Sequence, residues 1–182
     1  MPARKQIPKE KILSAALELL REGGMEAVNV KALARRLGCS TQPIYLSFPG
    51  MEELRAELTT RAVGFFTQEL EKRDASAADL FGMPYICFAR EEKELFRYLF
   101  MRSNALSEIR EALAPMMERS ISELMARYRL SHAEADYLHD QLWMHAHGIA
   151  SMVATDFCAW DTEKIAGMLA DCRASFTRKF EV

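Results

Sequence analysis

Apolar residues recur at helical spacing along almost the whole chain, while the apolar–polar alternation of a half-buried strand is nearly absent. A chain patterned this way must bury helical stripes against one another. The expected fold class is all-α, with about nine helices separated by glycine, proline and capping residues. At 182 residues, 49% of them hydrophobic, the chain is long enough to build a core without metal or disulfide staples. No apolar run reaches the roughly 18 residues that mark a membrane span. Arg4, Lys5, Lys9 and Lys11 are not followed by the apolar stretch and cleavage site of a secretory signal. A cytoplasmic location with no membrane partner is expected. Cys39, Cys87, Cys158 and Cys172 form no C-x-x-C pair and no zinc-site spacing, so they are expected as free thiols.

The first helix is expected from about Pro8 to Arg21, stopped by Gly23-Gly24. A short second helix, Val30–Leu37, takes Asn29 as its cap, buries Val30, Leu33, Ala34 and Leu37, and ends at Gly38. A third begins after Ser40 as cap and runs to Phe48, where Pro49-Gly50 breaks the chain. A long helix from Met51 to Arg73 follows. Ser76 with Asp79 then predicts a capping box opening a helix to Glu91. Further helices are expected over about 92–101, 107–128 with a kink or break at Pro115, 131–155 behind a Ser131/Glu134 capping box, and 162–180.

Charge is uneven along the chain. Residues 1–50 hold eight Lys/Arg against four Glu, a net +4, and residues 51–182 carry a net −6. A basic head suits an anionic partner such as phosphate. The two short helices joined at Gly38-Cys39-Ser40 have helix-turn-helix geometry. In that geometry the second helix offers small polar residues at its start, and Thr41, Gln42 and Ser47 fit. Lys31, Arg35 and Arg36 suit contacts to a phosphate backbone.

The segment PKEKILSAALELLREGGMEAVNVKALARRLGCSTQPIYLSFPGMEEL, residues 8–54, resembles the DNA-binding domain of tetracycline-repressor (TetR) family regulators. The resemblance rests on Leu-Ala-x-x-Leu-Gly, the short turn, Tyr45-x-x-Phe48, and Glu53-Leu54 opening the next helix. It implies base-reading roles for Thr41 and Gln42, a phosphate contact for Tyr45, a cap near phosphate for Asn29, and a core role for Phe48. Ser40, Pro43 and Leu46 lie on the same segment and complete the candidate DNA-contacting set. Met51 departs from the family pattern, which has Lys there, so one backbone contact is expected to be missing. The implied organisation is a DNA-binding head at 1–50 and a helical effector-binding and dimerising body at 51–182, joined by the helix 51–73.

For the body, Trp143-Met-His-Ala-His147-Gly148 is similar to a Trp-x-x-x-His-Gly signature of one subset of such regulators. His147 beside Gly148 suits a close helix approach with its ring hydrogen-bonded. It is also a candidate pocket residue. Phe66, Tyr85, Phe88, Phe96, Phe100, Met116 and Trp143 are the other candidates for an adaptable apolar cavity. A single short recognition helix reads only a few base pairs, so a homodimer on palindromic double-stranded DNA is expected. In look-alike regulators the last two helices pack against their symmetry mates as a four-helix bundle. Leu142, Ile149, Val153, Ile165, Leu169, Cys172 and Phe176 are the candidate interface.

No cofactor is implied. His132, Asp136 and Asp140 share a helical face, but an exposed His–Asp pair is the simpler account, so no metal is expected. No catalytic motif is present: there is no Gly-x-Ser-x-Gly, P-loop, Gly-x-Gly-x-x-Gly or His-Glu-x-x-His, so the chain is not expected to be an enzyme. The leading expectation is a dimeric regulator, a repressor released by a small apolar effector. Two alternatives stay open: a DNA-binding dimer without an effector, and a helical binding protein or enzyme whose basic head is incidental.

Overall fold

The computed structural model describes residues 7–73 and 75–180. Arg4 and Lys5 of the basic head lie outside them. The described residues form nine α-helices and two short 3-10 turns, with no strand: α1 Lys9–Ala27, α2 Val30–Leu37, α3 Gln42–Ser47, α4 Met51–Glu71, a turn Ala77–Asp79, α5 Met83–Glu91, α6 Lys93–Phe100, α7 Ala105–Tyr128, α8 His132–Ala154, α9 Thr162–Thr177 and a turn Arg178–Phe180. No described helix is long and apolar enough to cross a membrane.

The helical path of α1 is interrupted where the sequence predicts its stop, at Gly23 and Gly24. Gly24 takes φ +69°, a left-handed conformation that favours glycine, and a Cβ there would lie 2.9 Å from Glu94 Oε2 at the end of a side chain from α6. α1 packs on α6, α4 and α2, while α5 packs on α8, which also meets α7 and α9. One apolar core runs without interruption from Ile12 and Leu33 through Leu54, Leu58 and Phe66 to Ile149 and Ile165. A smaller cluster of Ile121, Leu124, Leu130 and Leu138 closes the far end of the body, with Phe176 and Phe180 packed against it.

Several predicted boundaries are corrected. Ser76 does not cap a helix: its hydroxyl donates to Asp79 Oδ2 at 2.7 Å, and only one 3-10 turn follows. Gly82 (φ −101°, ψ −117°) breaks the path, and α5 starts afresh with Pro84 in its first turn, where a missing N–H costs nothing. Pro115 does not divide α7. It lies on the exposed side, where the carbonyl it leaves unbonded is open to water. The Ser131/Glu134 capping box forms in full.

The centre of the body is aromatic. The Phe66 ring meets Phe88 and Phe100 edge-on at 5.0 Å, and Tyr85 meets Phe96 and Phe100 at 5.3 Å. The Tyr85 hydroxyl lies 2.9 Å from His147 Nδ1. His139 is buried and its Nδ1 lies 3.0 Å from Ser120 Oγ. Burial holds both imidazoles below the usual histidine range, against Asp140 and Asp136 in the case of His139. A histidine whose folded-state pKa is depressed is neutral in the fold and protonates first in the unfolded chain. Stability from these groups is complete above about pH 6.5 and falls as pH drops below it. The thermal midpoint is therefore expected to fall between pH 7 and pH 5, before the carboxylates titrate. A flat midpoint over that window would contradict the neutral buried imidazoles.

Candidate functional site

Asn29 Oδ1 accepts from the Ala32 N–H at 3.0 Å, which fixes the start of α2. At the other end Gly38 adopts φ +63° and ψ +37°. The Cys39 N–H reaches Ala34 O at 3.0 Å and the Gly38 N–H reaches Arg35 O at 3.3 Å. This paired closure is a Schellman motif, which turns the chain sharply into α3.

α3 is only six residues long and has no side-chain cap; its N-terminal flank is Thr41 in helical conformation, not Ser40. Its inner side is fixed by Ile44 and Phe48, which are 1% and 2% exposed. Its outer side is open: Tyr45 is 54% and Leu46 52% exposed, and Ser40, Thr41 and Gln42 are exposed beside them, with Pro43 half-buried. Ser47 is corrected. It is buried, and its hydroxyl donates to Ile7 O at 3.0 Å, tying α3 to the start of α1 rather than facing outward.

The cations divide into two groups. Lys31 and Arg35 are exposed and pair with no acidic side chain among the described residues. Arg36 does not face a partner: it lies over α1, bonding Glu18 at 3.1 Å and Glu22. Lys9 holds Glu53 and Glu57 at 2.9 and 2.8 Å, and its ammonium lies 4.7 Å over the Phe48 ring. Met51 is half-buried against the core and offers nothing to a phosphate.

The head is tied to the body at three points. The first is Lys9 to α4. At the second, Arg61 on α4 bonds Glu10 at 2.5 Å and Ser14 at 3.1 Å. At the third, Arg21 on α1 grips Glu92 with two nitrogens, at 2.8 and 2.5 Å, and stacks over Phe65.

The body holds a cavity of about 610 Å³ between the end of α4, the loop before α5, and α5, α7, α8 and α9. Phe81, Met83, Leu142, Trp143 and Leu169 form its apolar walls, and Arg73, Asp79, His139 and Arg173 its polar points. Burial alone would raise the Asp79 carboxyl. Ser76, Arg173 and Arg127 outweigh it and hold the group below the usual range.

Of the predicted pocket residues only Trp143 lines this cavity. Phe66, Tyr85, Phe88, Phe96, Phe100 and Met116 pack in the core instead, and His147 is engaged by Tyr85. The predicted interface is corrected as well. Ile149, Val153 and Ile165 are buried in the chain's own core, Leu142, Leu169 and Cys172 line the cavity, and Phe176 covers the smaller cluster. Gly148 does not mark a close approach within the chain, since nothing lies within 4 Å of a Cβ built there. Arg73, Asp79, Phe81 and His139 were not anticipated at the cavity. The sequence sign for them is the interruption at Gly82-Met83-Pro84, where a loop must separate α4 from α5.

Residues 12–58 match the model of the family "Bacterial regulatory proteins, tetR family". Over those residues the chain is similar to tetR-family regulators. The match spans α1, α2, the Gly38 turn, α3 and the first third of α4. No curated protein sequence matches the chain. Among solved structures, a protein of unknown function from Rhodococcus sp. RHA1 is 20% identical, with 98% of each chain covered and a TM-score of 0.69. A transcriptional regulator of the TetR/AcrR type from Aquifex aeolicus VF5 is 18% identical over 94% of this chain and 98% of its own, with a TM-score of 0.59. RolR in complex with resorcinol is 16% identical over 95% and 92%, also with a TM-score of 0.59. These likenesses carry the fold over nearly the full length of the chain.

Gly38→Ala is expected to destabilise the head by about 1–2 kcal/mol, because the left-handed conformation is strained for any residue with a Cβ. Nothing lies within 4 Å of that added atom, so the cost is conformational rather than steric. Urea unfolding of Gly38→Ala beside Gly38→Asn checks this: the asparagine variant is expected to lose less.

Proposed function

We propose that this chain is a homodimeric, sequence-specific transcriptional repressor that leaves its operator when a small, largely apolar molecule fills the body cavity. The observation that carries the reading is α3 itself: Thr41, Gln42, Tyr45 and Leu46 stand exposed on a short helix whose other side is locked by Ile44 and Phe48. Such a helix fits the major groove, with Thr41 and Gln42 at base edges and Tyr45 on phosphate. Asn29, Lys31 and Arg35 flank it at the backbone.

A six-residue helix reads only a few base pairs, so two copies about 34–36 Å apart on a palindrome supply the rest. The second copy fits the outer faces of α8 and α9. On α8, Tyr137, Met144 and Met152 are exposed in line with Gly148, and on α9 the exposed face carries Gly167, Ala170 and Ala174. Small residues there allow two helix pairs to approach closely as a four-helix bundle.

Release follows from the ties between body and head. Arg73 lines the cavity and bonds Glu91 at 2.6 Å, and the next residue, Glu92, holds Arg21 of α1. A molecule that fits one arrangement of α4 and the α5–α6 junction better than another shifts α1, and with it the spacing of the two recognition helices. The shift is limited by that difference in affinity. The fold relative RolR was solved with resorcinol, which supports a ligand-filled body.

Footprinting on the DNA flanking the gene is expected to show two protected half-sites about one helical turn apart. Tyr45→Ala is expected to weaken operator binding about tenfold while the melting temperature holds, because its side chain is exposed; equal affinity would remove Tyr45 from the contact set. Ala170→Glu is expected to give a monomer by light scattering and to lose operator binding with it. A dimer that survives this change would move the interface elsewhere.

A further inference from the structure

We propose that the concavity between the start of α1 and the start of α3 seats a sugar-phosphate strand of the operator, with Lys11 as its phosphate contact. The proposal rests on the reading of the chain as a DNA-binding dimer and extends its contact surface to α1.

The charged residues that open α1 face different ways. Lys9 is held by Glu53 and Glu57, and Glu10 by Arg61, all three on α4. Helical neighbours are about 100° apart, so Lys11 stands about 200° around the helix from Lys9. There it lines a concavity of about 490 Å³ together with Gly38, Cys39 and Ser40 of the turn and Gln42 and Leu46 of α3.

The charge of this concavity is one-sided. No acidic residue lines it, and Lys11 is its one basic side chain among the described residues. Lys11 is exposed and forms no salt bridge among them. On its other flank it borders Glu10 and Glu18, but these carboxylates are already engaged by Arg61 and Arg36. A cation left over in this way is available to an anion from outside.

The place is also held fixed. Ser47 donates to Ile7 O at 3.0 Å, which pins the start of α1 to the end of α3. Ile12 and Leu13, next to Lys11, are buried in the same core as Ile44 of α3. A helix lying in a major groove about 12 Å wide has a phosphate strand along each side. With Gln42 and Leu46 in that groove, the side of α3 that carries the concavity meets one of the two strands. Ser40, exposed on the rim, adds a hydroxyl donor, and Lys11 adds the charge. A contact of this kind sets grip and register and reads no base.

The test uses the full chain and the footprinted duplex, with anisotropy of labelled DNA read across a range of salt concentrations. Lys11→Gln is expected to bind about tenfold more weakly, on operator and on random duplex alike. Its plot of log affinity against log salt is expected to flatten by about 2, one phosphate for each copy in the dimer. Lys11→Arg keeps the charge and is expected to keep the slope. Lys72→Gln, at the far end of α4, is expected to leave the slope unchanged. Cys39 supplies a second readout: its labelling by N-ethylmaleimide is expected to slow on saturating operator, while that of Cys158, in the α8–α9 loop, does not. An unchanged slope in Lys11→Gln, an equal flattening in Lys72→Gln, or undiminished labelling of Cys39 overturns the proposal. In any of those cases, operator binding that still depends on Tyr45 leaves the regulator reading standing. Failure of the unaltered chain to bind operator sinks that reading and the proposal with it.

Discussion

The burial of two side chains, Ile44 and Phe48, is what gives α3 a fixed position. Six residues make barely more than one turn, far below the roughly 12–15 at which an isolated helix is even marginal in water. α3 therefore owes its shape to the core beneath it. Ile44 and Phe48 reach the layer formed by α1, α2 and the start of α4, and Ser47 adds a hydrogen bond to Ile7 O. Every outward-facing group on the helix takes its direction from that anchorage. The Gly38 turn sets the angle and the buried pair sets the depth.

The head is not an independent bead on a string. The apolar core passes from α1 through α4 into the body without a gap, and ion pairs of Lys9, Arg61 and Arg21 stitch α1 to α4 and α6. Exposed pairs of this kind contribute little to stability, about 0–1 kcal/mol each. Their effect is geometric: they join α1 to α4 and to the start of α6. The cavity touches this system at the end of α4, through Arg73.

Much of the head was legible in the residues alone. Asn29, the apolar spacing of α2 and Gly38 each obey a local rule, and local rules hold where helices are short and capped. The body was less legible, for two physical reasons. Aromatic rings at helical spacing pack as well against one another as around a ligand, so Phe66, Tyr85 and Phe96 carry no sign of which they do; here they fill the core. An apolar stripe announces burial without naming what covers it, so Ile149, Val153 and Ile165 read the same whether the cover is this chain or a second copy. The exposed faces of α8 and α9 are marked by glycine and alanine, which are quiet in any hydrophobicity pattern. The cavity itself depends on where the loop at Gly82 lifts away from α8, a matter of three-dimensional path rather than composition.

The inward turn of so many cations in the head has a consequence for how the protein finds its site. Lys9, Arg21 and Arg36 are paired with carboxylates within the molecule, which leaves Lys11, Lys31 and Arg35 without a salt bridge among the described basic residues of the head, 7–50. Grip on random duplex grows with the number of counterions a protein displaces from the phosphates. In the proposed complex with duplex, Lys11, Lys31 and Arg35 are the described head cations free to displace them, and Lys9, Arg21 and Arg36 could join only by leaving their carboxylates.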